Sequence, residues 1–248
     1  MIEDFKSQLL ELGLKAGDVV LMHSSMKALK TNKSPIEFIN DIISFLGSEG
    51  TLLIPGFSFE SVNAENPIFK AKETEPCVGL IPRTFFRIPG VTRSLHPTHS
   101  VCAFGKRAKE LTSGHILDET PVGLYSPIMQ MLDYNGKILF VGNILHACTF
   151  MHGVEEIVGA PYTLAKERVH YIIEDENGQV IEKDMIPHAF HGWRQEYQRI
   201  KGILDYPDIK TGEVGQAKCY LIDASALLAK AKEKFNENMF YFVTGICE

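Results

Sequence analysis

Three absences narrow this sequence before any motif is read. No apolar run approaches the roughly 20 residues of a membrane-spanning helix. Basic residues are not in excess: 25 Lys and Arg stand against 31 Asp and Glu, a formal net charge of -6, whereas a phosphate backbone calls for a basic surface. Neither a nucleic-acid partner nor a membrane association is expected. Cysteine is scarce and unpatterned. Cys77, Cys102, Cys148, Cys219 and Cys247 make an odd count of 5 with no CxxC spacing. Cys102, Cys148 and Cys219 lie in apolar stretches, as small core residues do. This disfavours a disulfide scaffold and points to a reducing compartment. Residues Met1 to Lys6 do not read as a signal peptide, so a cytoplasmic location is expected.

Several catalytic signatures are missing as well. No GxGxxG follows a strand and no GxxxxGK[ST] occurs, so neither a Rossmann nor a P-loop nucleotide site is indicated. The Gly-x-Ser-x-Gly elbow of serine hydrolases is absent too.

What remains is an ordinary globular chain of 248 residues with 45% apolar and 23% charged side chains, enough to bury a substantial core. Buried-strand runs occur at Asp18 to His23, Gly50 to Pro55, Ser100 to Gly105 and Lys137 to Val141. Helical patterns lie between them: residues 4–13 ending at Gly13, Pro35 to Leu46 with Pro35 in the first turn and Gly47 after the last, Pro82 to Arg87, Ala108 to Thr112, and Ser126 to Asp133. Residues 61–80 read as loop. Further on, Asn177-Gly178 marks a hairpin between Val169–Glu174 and Val180–Ile186. Residues 192–200 read as helix, Gly215 to Ile222 as strand and Ala224 to Asn238 as an amphipathic helix. The expected fold is α/β: one domain over 1–248, a central mixed sheet with helices on both faces, and a small antiparallel C-terminal addition.

Three clusters carry candidate chemistry. His23-Ser24-Ser25 ends a strand, where α/β sheets place ligands. It could bind phosphate oxygens or a carbonyl; the plainer alternative is a polar loop whose serines cap local backbone. Arg93-Ser94-Leu95-His96-Pro97-Thr98-His99-Ser100 is dense in anion-binding groups. His96 and His99 could instead ligate a metal, with His146, Cys148, His188 and His191 to draw on, although no established zinc spacing is met. In Thr149-Phe150-Met151-His152-Gly153-Val154-Glu155, an imidazole and a carboxylate share one helix face three positions apart. A carboxylate that orients an imidazole makes it a ready general base. The alternative is a helix simply capped by Thr149.

Taken in order, five stretches resemble the aminoglycoside 3-N-acetyltransferase family, which is distinct from the GNAT enzymes. They are Gly17 to Ser25, Gly50 to Pro55, Arg93 to Gly105, His115 to Asp118 with Gly123 and Ser126-Pro127 leading into the Gly136–Gly142 strand, and Thr149 to His152 with Glu155. The closing Gly215 to Cys219 strand and its helix look like the family's end. The resemblance implies transfer of an acetyl group from acetyl-coenzyme A, as co-substrate, to the amine of a small acceptor, with no metal. His152 would be the general base, Glu155 its acidic partner, and His23 a second functional histidine near the thioester. Ser24, Ser25, Arg93, Ser94, His96 and Gly105 would contact the coenzyme; His99, Asp118 and Glu196 would contact the acceptor. A homo-oligomer is left open. One departure shapes the expected acceptor. Trp193 to Arg199 holds only Glu196 as an acid and two arginines, where many resistance enzymes carry an acidic run. The expected acceptor is an aminoglycoside or, in preference, a single-amine molecule such as an amino sugar or a nucleotide-linked amino sugar, whose phosphate or carboxylate Arg194 or Arg199 could meet. Two alternatives stand beside the transferase: a metal-dependent hydrolase using the histidine-rich loops, and a catalytically inactive coenzyme A-binding relative.

Overall fold

The computed structural model describes residues 5–246; Cys247 lies outside them. In chain order the elements are α1 (Phe5–Leu12), β1 (Val19–Ser24), α2 (Met26–Leu29), α3 (Pro35–Leu46), β2 (Thr51–Pro55), β3 (Ile68–Lys70), α4 (Leu80–Phe86), β4 (Thr92–Arg93), β5 (Val101–Gly105), α5 (Ala108–Ser113), α6 (Pro127–Gln130), β6 (Lys137–Val141), α7 (Phe150–Val158), β7 (Val169–Glu174), β8 (Val180–Met185), β9 (Trp193–Gln195), β10 (Ile209–Val214), β11 (Ala217–Asp223), α8 (Ala224–Glu237) and β12 (Val243–Gly245).

Seven strands form the main sheet in the order β10-β11-β6-β1-β2-β5-β4. Its centre is parallel, with β1 flanked by β2 and β6, and its outer pairs are antiparallel. Strand side chains alternate between faces. Val20 and Met22 of β1 therefore join α1, α3 and α4 in one apolar core, while Val19 and Leu21 join α5 to α8 in another. His23 has the parity of the second set, and it stacks on Phe140 of β6 at 5.0 Å between ring centroids. The sheet is thus buried on both sides, as its nearly continuous apolar strands require.

Local chemistry explains the ends of α3. Ser34 accepts from the Glu37 backbone N–H and the Glu37 carboxylate accepts from the Ser34 N–H, with Pro35 at the first helical position. This reciprocal cap satisfies donors the helix would otherwise leave open. Cys102, Cys148 and Cys219 are buried free thiols, as their apolar neighbours led one to expect.

The structure revises three assignments. The loop-like 61–80 contains β3, which pairs in parallel with β7 and completes a second sheet, β3-β7-β8. Residues 192–200 are not one helix: β9 pairs with β12, and a 3-10 turn covers Tyr197–Gly202. Strand β10 was not foreseen. It pairs with β11, so this part of the antiparallel addition extends the main sheet. Strands β3 and β9 have three residues each, too few for a period to register, and each is defined by a partner far along the chain.

Candidate active site

A cavity of about 800 Å³ opens at the C-terminal ends of β1 and β2 and is bordered by Val169 and Tyr171 of β7 and by the 187–197 segment. This is where an open α/β sheet accepts ligands. Its wall includes Met22, His23 and Ser24 of β1, Ile54 and Pro55 of β2, and His152 of α7. Phe57, Phe59, His99, Thr149, Tyr171, His188, Phe190 and Tyr197 also line it. Among the described residues no aspartate, glutamate, lysine or arginine does.

Helix α7 supplies the central pair. His152 Nδ1 lies 3.6 Å from Glu155 Oε2. Tyr197, from the 3-10 turn, bridges them: its Oη is 2.7 Å from Glu155 Oε2 and 2.9 Å from His152 Nδ1. Tyr162 Oη adds a longer donor to Glu155 Oε1 at 3.3 Å. Burial and the Glu155 carboxylate raise both phenols above their ordinary range, so they remain protonated donors. Tyr197 has one proton and gives it to Glu155, so its oxygen accepts from His152 Nδ1–H. His152 itself is a residue of the cavity wall.

His23 is held neutral, its pKa lowered to about 3 by burial and then by the proximity of His152. Its Nε2 is 3.4 Å from Thr149 Oγ1. Thr149 does not cap α7 with its side chain, contrary to the capped-helix alternative; its hydroxyl faces His23 instead. His99 Nδ1 bonds Thr98 Oγ1 at 2.8 Å, and its ring packs against Phe57 at 4.4 Å and His188 at 4.6 Å.

Ser24 reaches the cavity wall, but several of the other expected contact residues do not. Ser25 accepts from the Ala28 N–H and caps α2. Arg93 is spent on structure: its guanidinium lies between the Phe69 and Phe86 rings and donates to Ser100 Oγ and to the carbonyls of Gly56, Ala71 and Thr74. Ser94 accepts from the Val101 N–H and donates to His115 Nδ1, whose Nε2 donates to the Pro121 carbonyl. His96 is buried; its Nδ1 accepts from the backbone N–H groups of Thr98 and His99, shaping the turn that carries His99. Asp118 is buried and accepts from the Tyr125 N–H, and burial raises it to about 6. Glu196 pairs with Arg194 and Gln198. Gly105 stands apart from the cavity. It opposes Thr51, at the start of β2, whereas the cavity lies at the Ile54-Pro55 end. Its φ is +118°, and a Cβ there would stand 2.2 Å from the Gly50 carbonyl oxygen. The position needs glycine for the backbone.

Tyr197, Tyr162 and Phe190 escaped sequence reading. Tyr197 is 45 positions from His152, and no local pattern marks it. As for the metal alternative, no group of three or more His, Cys, Asp or Glu side chains is arranged to hold an ion among the described residues.

An open α/β sheet with a histidine-lined cavity at its strand ends is the architecture of an α/β enzyme. Residues 21–236 match the aminoglycoside 3-N-acetyltransferase family. The chain belongs to that family and is an N-acetyltransferase. It is 27% identical to aminoglycoside N(3)-acetyltransferase IX of Micromonospora chalcea, covering 88% of this chain and 87% of the relative. It is also 27% identical to the SPbeta prophage-derived aminoglycoside N(3')-acetyltransferase-like protein of Bacillus subtilis, covering 95% and 91%. Among solved structures, a variant of aminoglycoside acetyltransferase AAC(3)-IVa in complex with a gentamicin superposes with a TM-score of 0.80 at 26% identity, covering 96% of this chain and 89% of that one.

Proposed function

We propose that this protein acetylates a single amine on a small acceptor, with His152 as general base. The co-substrate is acetyl-coenzyme A. One observation carries the reading: Tyr197 Oη joins the Glu155 carboxyl group to His152 Nδ1, and the His152 ring lines the cavity. An alkylammonium with a pKa near ~10 must first lose a proton to solvent. The neutral amine then attacks the thioester carbonyl carbon while His152 Nε2 takes one of its two N–H protons. The new N–C bond forms, the C–S bond breaks, and the imidazolium returns that proton to the thiolate sulfur. Buried Glu155 steadies the transient imidazolium through Tyr197. His23 and Thr149, side by side at the end of β1, belong to the thioester side of the cavity, and Ser24 lies beside them.

The wall supports a single-amine acceptor. A polycation moving into the cavity would meet no carboxylate among the described residues that line it, and desolvating unpaired ammonium groups is costly. Aromatic rings such as Phe57, Phe59 and Tyr171 suit the apolar faces of an amino sugar. A nucleotide-linked amino sugar fits less well. Arg199 is occupied by the Tyr241 carbonyl and Thr244 Oγ1, Arg194 pairs with Glu196, and neither lines the cavity.

The test is release of coenzyme A, followed with a thiol reagent, across a panel of amines. D-glucosamine should be turned over more efficiently than kanamycin. Equal or better use of kanamycin would refute the single-amine assignment, and full activity of His152→Ala would refute the base.

A further inference from the structure

The cavity wall is rich in carbon as well as free of charge. Residues 57–64 bring Phe57, Phe59, Val62 and Ala64 to it. Asn63 lies among them, but its carboxamide oxygen already accepts from the Glu65 and Asn66 N–H groups. Val78 and Pro82 continue the wall, strand β7 adds Val169 and Tyr171, and the 187–197 segment adds Pro187 and Phe190. Tyr171 aside, none of these apolar and aromatic side chains can form a hydrogen bond.

Two of them are unusual for large apolar residues. Phe59 is 44% exposed and Val78 is 37% exposed, although both line the cavity. Exposed apolar surface at a cavity is a place for ligand to exclude water. The rings also lead to the base. Phe57 lies 4.4 Å and Phe59 5.8 Å from His99, centroid to centroid, and His99 lies 6.1 Å from His152. Phe190 packs on His152 directly, at 5.3 Å.

Much of the polar lining already has protein partners. His188 Nε2 lies 2.9 Å from Glu156 Oε1, His99 bonds Thr98, and Tyr197 is shared by Glu155 and His152. A hydroxyl that enters must exchange water for a partner, and leaving it without one is costly. A sugar ring carries several hydroxyls; a hydrocarbon carries none.

We propose that the acceptor is a primary amine on an apolar body, an alkyl or arylalkyl amine, with its nitrogen at His152 and its hydrocarbon against Phe57, Phe59 and Val78. This rests on the single-amine reading above and narrows it. The bonds made and broken are those already described, and the products are an N-alkylacetamide and coenzyme A. Apolar surface selects by area, so each methylene withdrawn from water strengthens binding of substrate and transition state. The same surroundings favour the neutral, nucleophilic form of the amine over the ammonium.

The experiment follows coenzyme A release with a thiol reagent for n-alkylamines from ethylamine to n-hexylamine, a series of nearly constant basicity in which chain length alone varies. The expected rise in kcat/KM is about fourfold per methylene. Expressed per concentration of neutral amine, n-hexylamine should exceed D-glucosamine at least about tenfold. Phe59→Ala should lower kcat/KM for n-hexylamine about tenfold and leave ethylamine within about twofold, with thermal melting to show that the variant is folded. A flat series in which D-glucosamine is still turned over overturns the apolar acceptor and leaves the single-amine reading standing. An unchanged slope in a folded variant carrying both Phe59→Ala and Val78→Ala overturns it too. Failure of the alkylamines and D-glucosamine alike defeats both readings.

Discussion

The two faces of the main sheet are built from the same strands but to different ends. On the side of α1, α3 and α4 the strands contribute Val20, Met22, Leu52, Ile54, Cys102, Leu139, Val141, Val214, Ala217, Cys219 and Leu221 to the core. On the side of α7 and α8 the same alternation begins with Val19, Leu21, Phe140 and Ile222, then places His23 where β1 runs out. Around that point the protein buries polar groups in number, among them His23, His99 and Glu155. The difference shows what the second face gives up. Buried polar groups must be paired and stabilise little on net, so the second face carries its hydrogen-bonded polar cluster on top of an apolar core of its own.

Substitutions on each face should separate these roles. The largest expected effect is His152→Ala, which should lower kcat by about 10²–10⁴-fold with the melting temperature nearly unchanged, measured by coenzyme A release and thermal denaturation. On the opposite face Ile42→Ala should do the reverse. It should cost about 2–5 kcal/mol of stability in denaturant titration while the folded fraction keeps its kcat. Gly105→Ala, at the end of the sheet away from the cavity, should destabilise by about 1–3 kcal/mol through a strained φ and a backbone clash, again with coenzyme affinity intact. Weakened coenzyme binding in folded Gly105→Ala would return that residue to the site.

The smallest effect is on pH. His23 and His115 each have a folded pKa of about 3, below the ordinary value near ~6.5. The unfolded chain takes up their protons first, so their contribution is present above pH ~6.5 and is lost as pH falls. Lowering the pH from 7 to 5.5 should cost about 1 kcal/mol per histidine. Glu156 opposes this. Burial raises it to about 7, so its contribution is present below the ordinary carboxylate range and is lost as pH rises through 7. Because His96, His99 and His188 are lowered as well, the net expectation is acid destabilisation, measured as melting temperature against pH. Destabilisation of the folded protein between pH 5.5 and 7 should be weaker in His23→Phe; an unchanged slope would show that His23 is not held neutral.

Much of this was legible in one dimension. The strand at Asp18 to His23, the Pro35–Leu46 helix between its first-turn proline and Gly47, the Asn177-Gly178 hairpin and the His152–Glu155 spacing all rest on interactions within a few residues. Their local periods and caps survive folding unchanged. The Arg93–Ser100 stretch was legible as dense in polar side chains but not as to purpose. Arg93 and Ser94 hold backbone and loops together, and only Thr98 and His99 of the stretch reach the cavity, because the carbonyls and rings that claim Arg93 come from residues 56, 69, 71, 74 and 86.

By itself the sequence determined which strands are buried, which helices flank them, and that one helix offers an imidazole and a carboxylate on a common face. These follow from side-chain periodicity and local hydrogen bonding. Tertiary structure alone decided that Tyr197 joins that pair, that Glu156 serves His188, and that the cavity wall carries no charged side chain among the described residues. Each depends on contacts between segments tens of residues apart, and a hydrogen bond of less than 3 Å across that gap leaves no periodic trace in the chain.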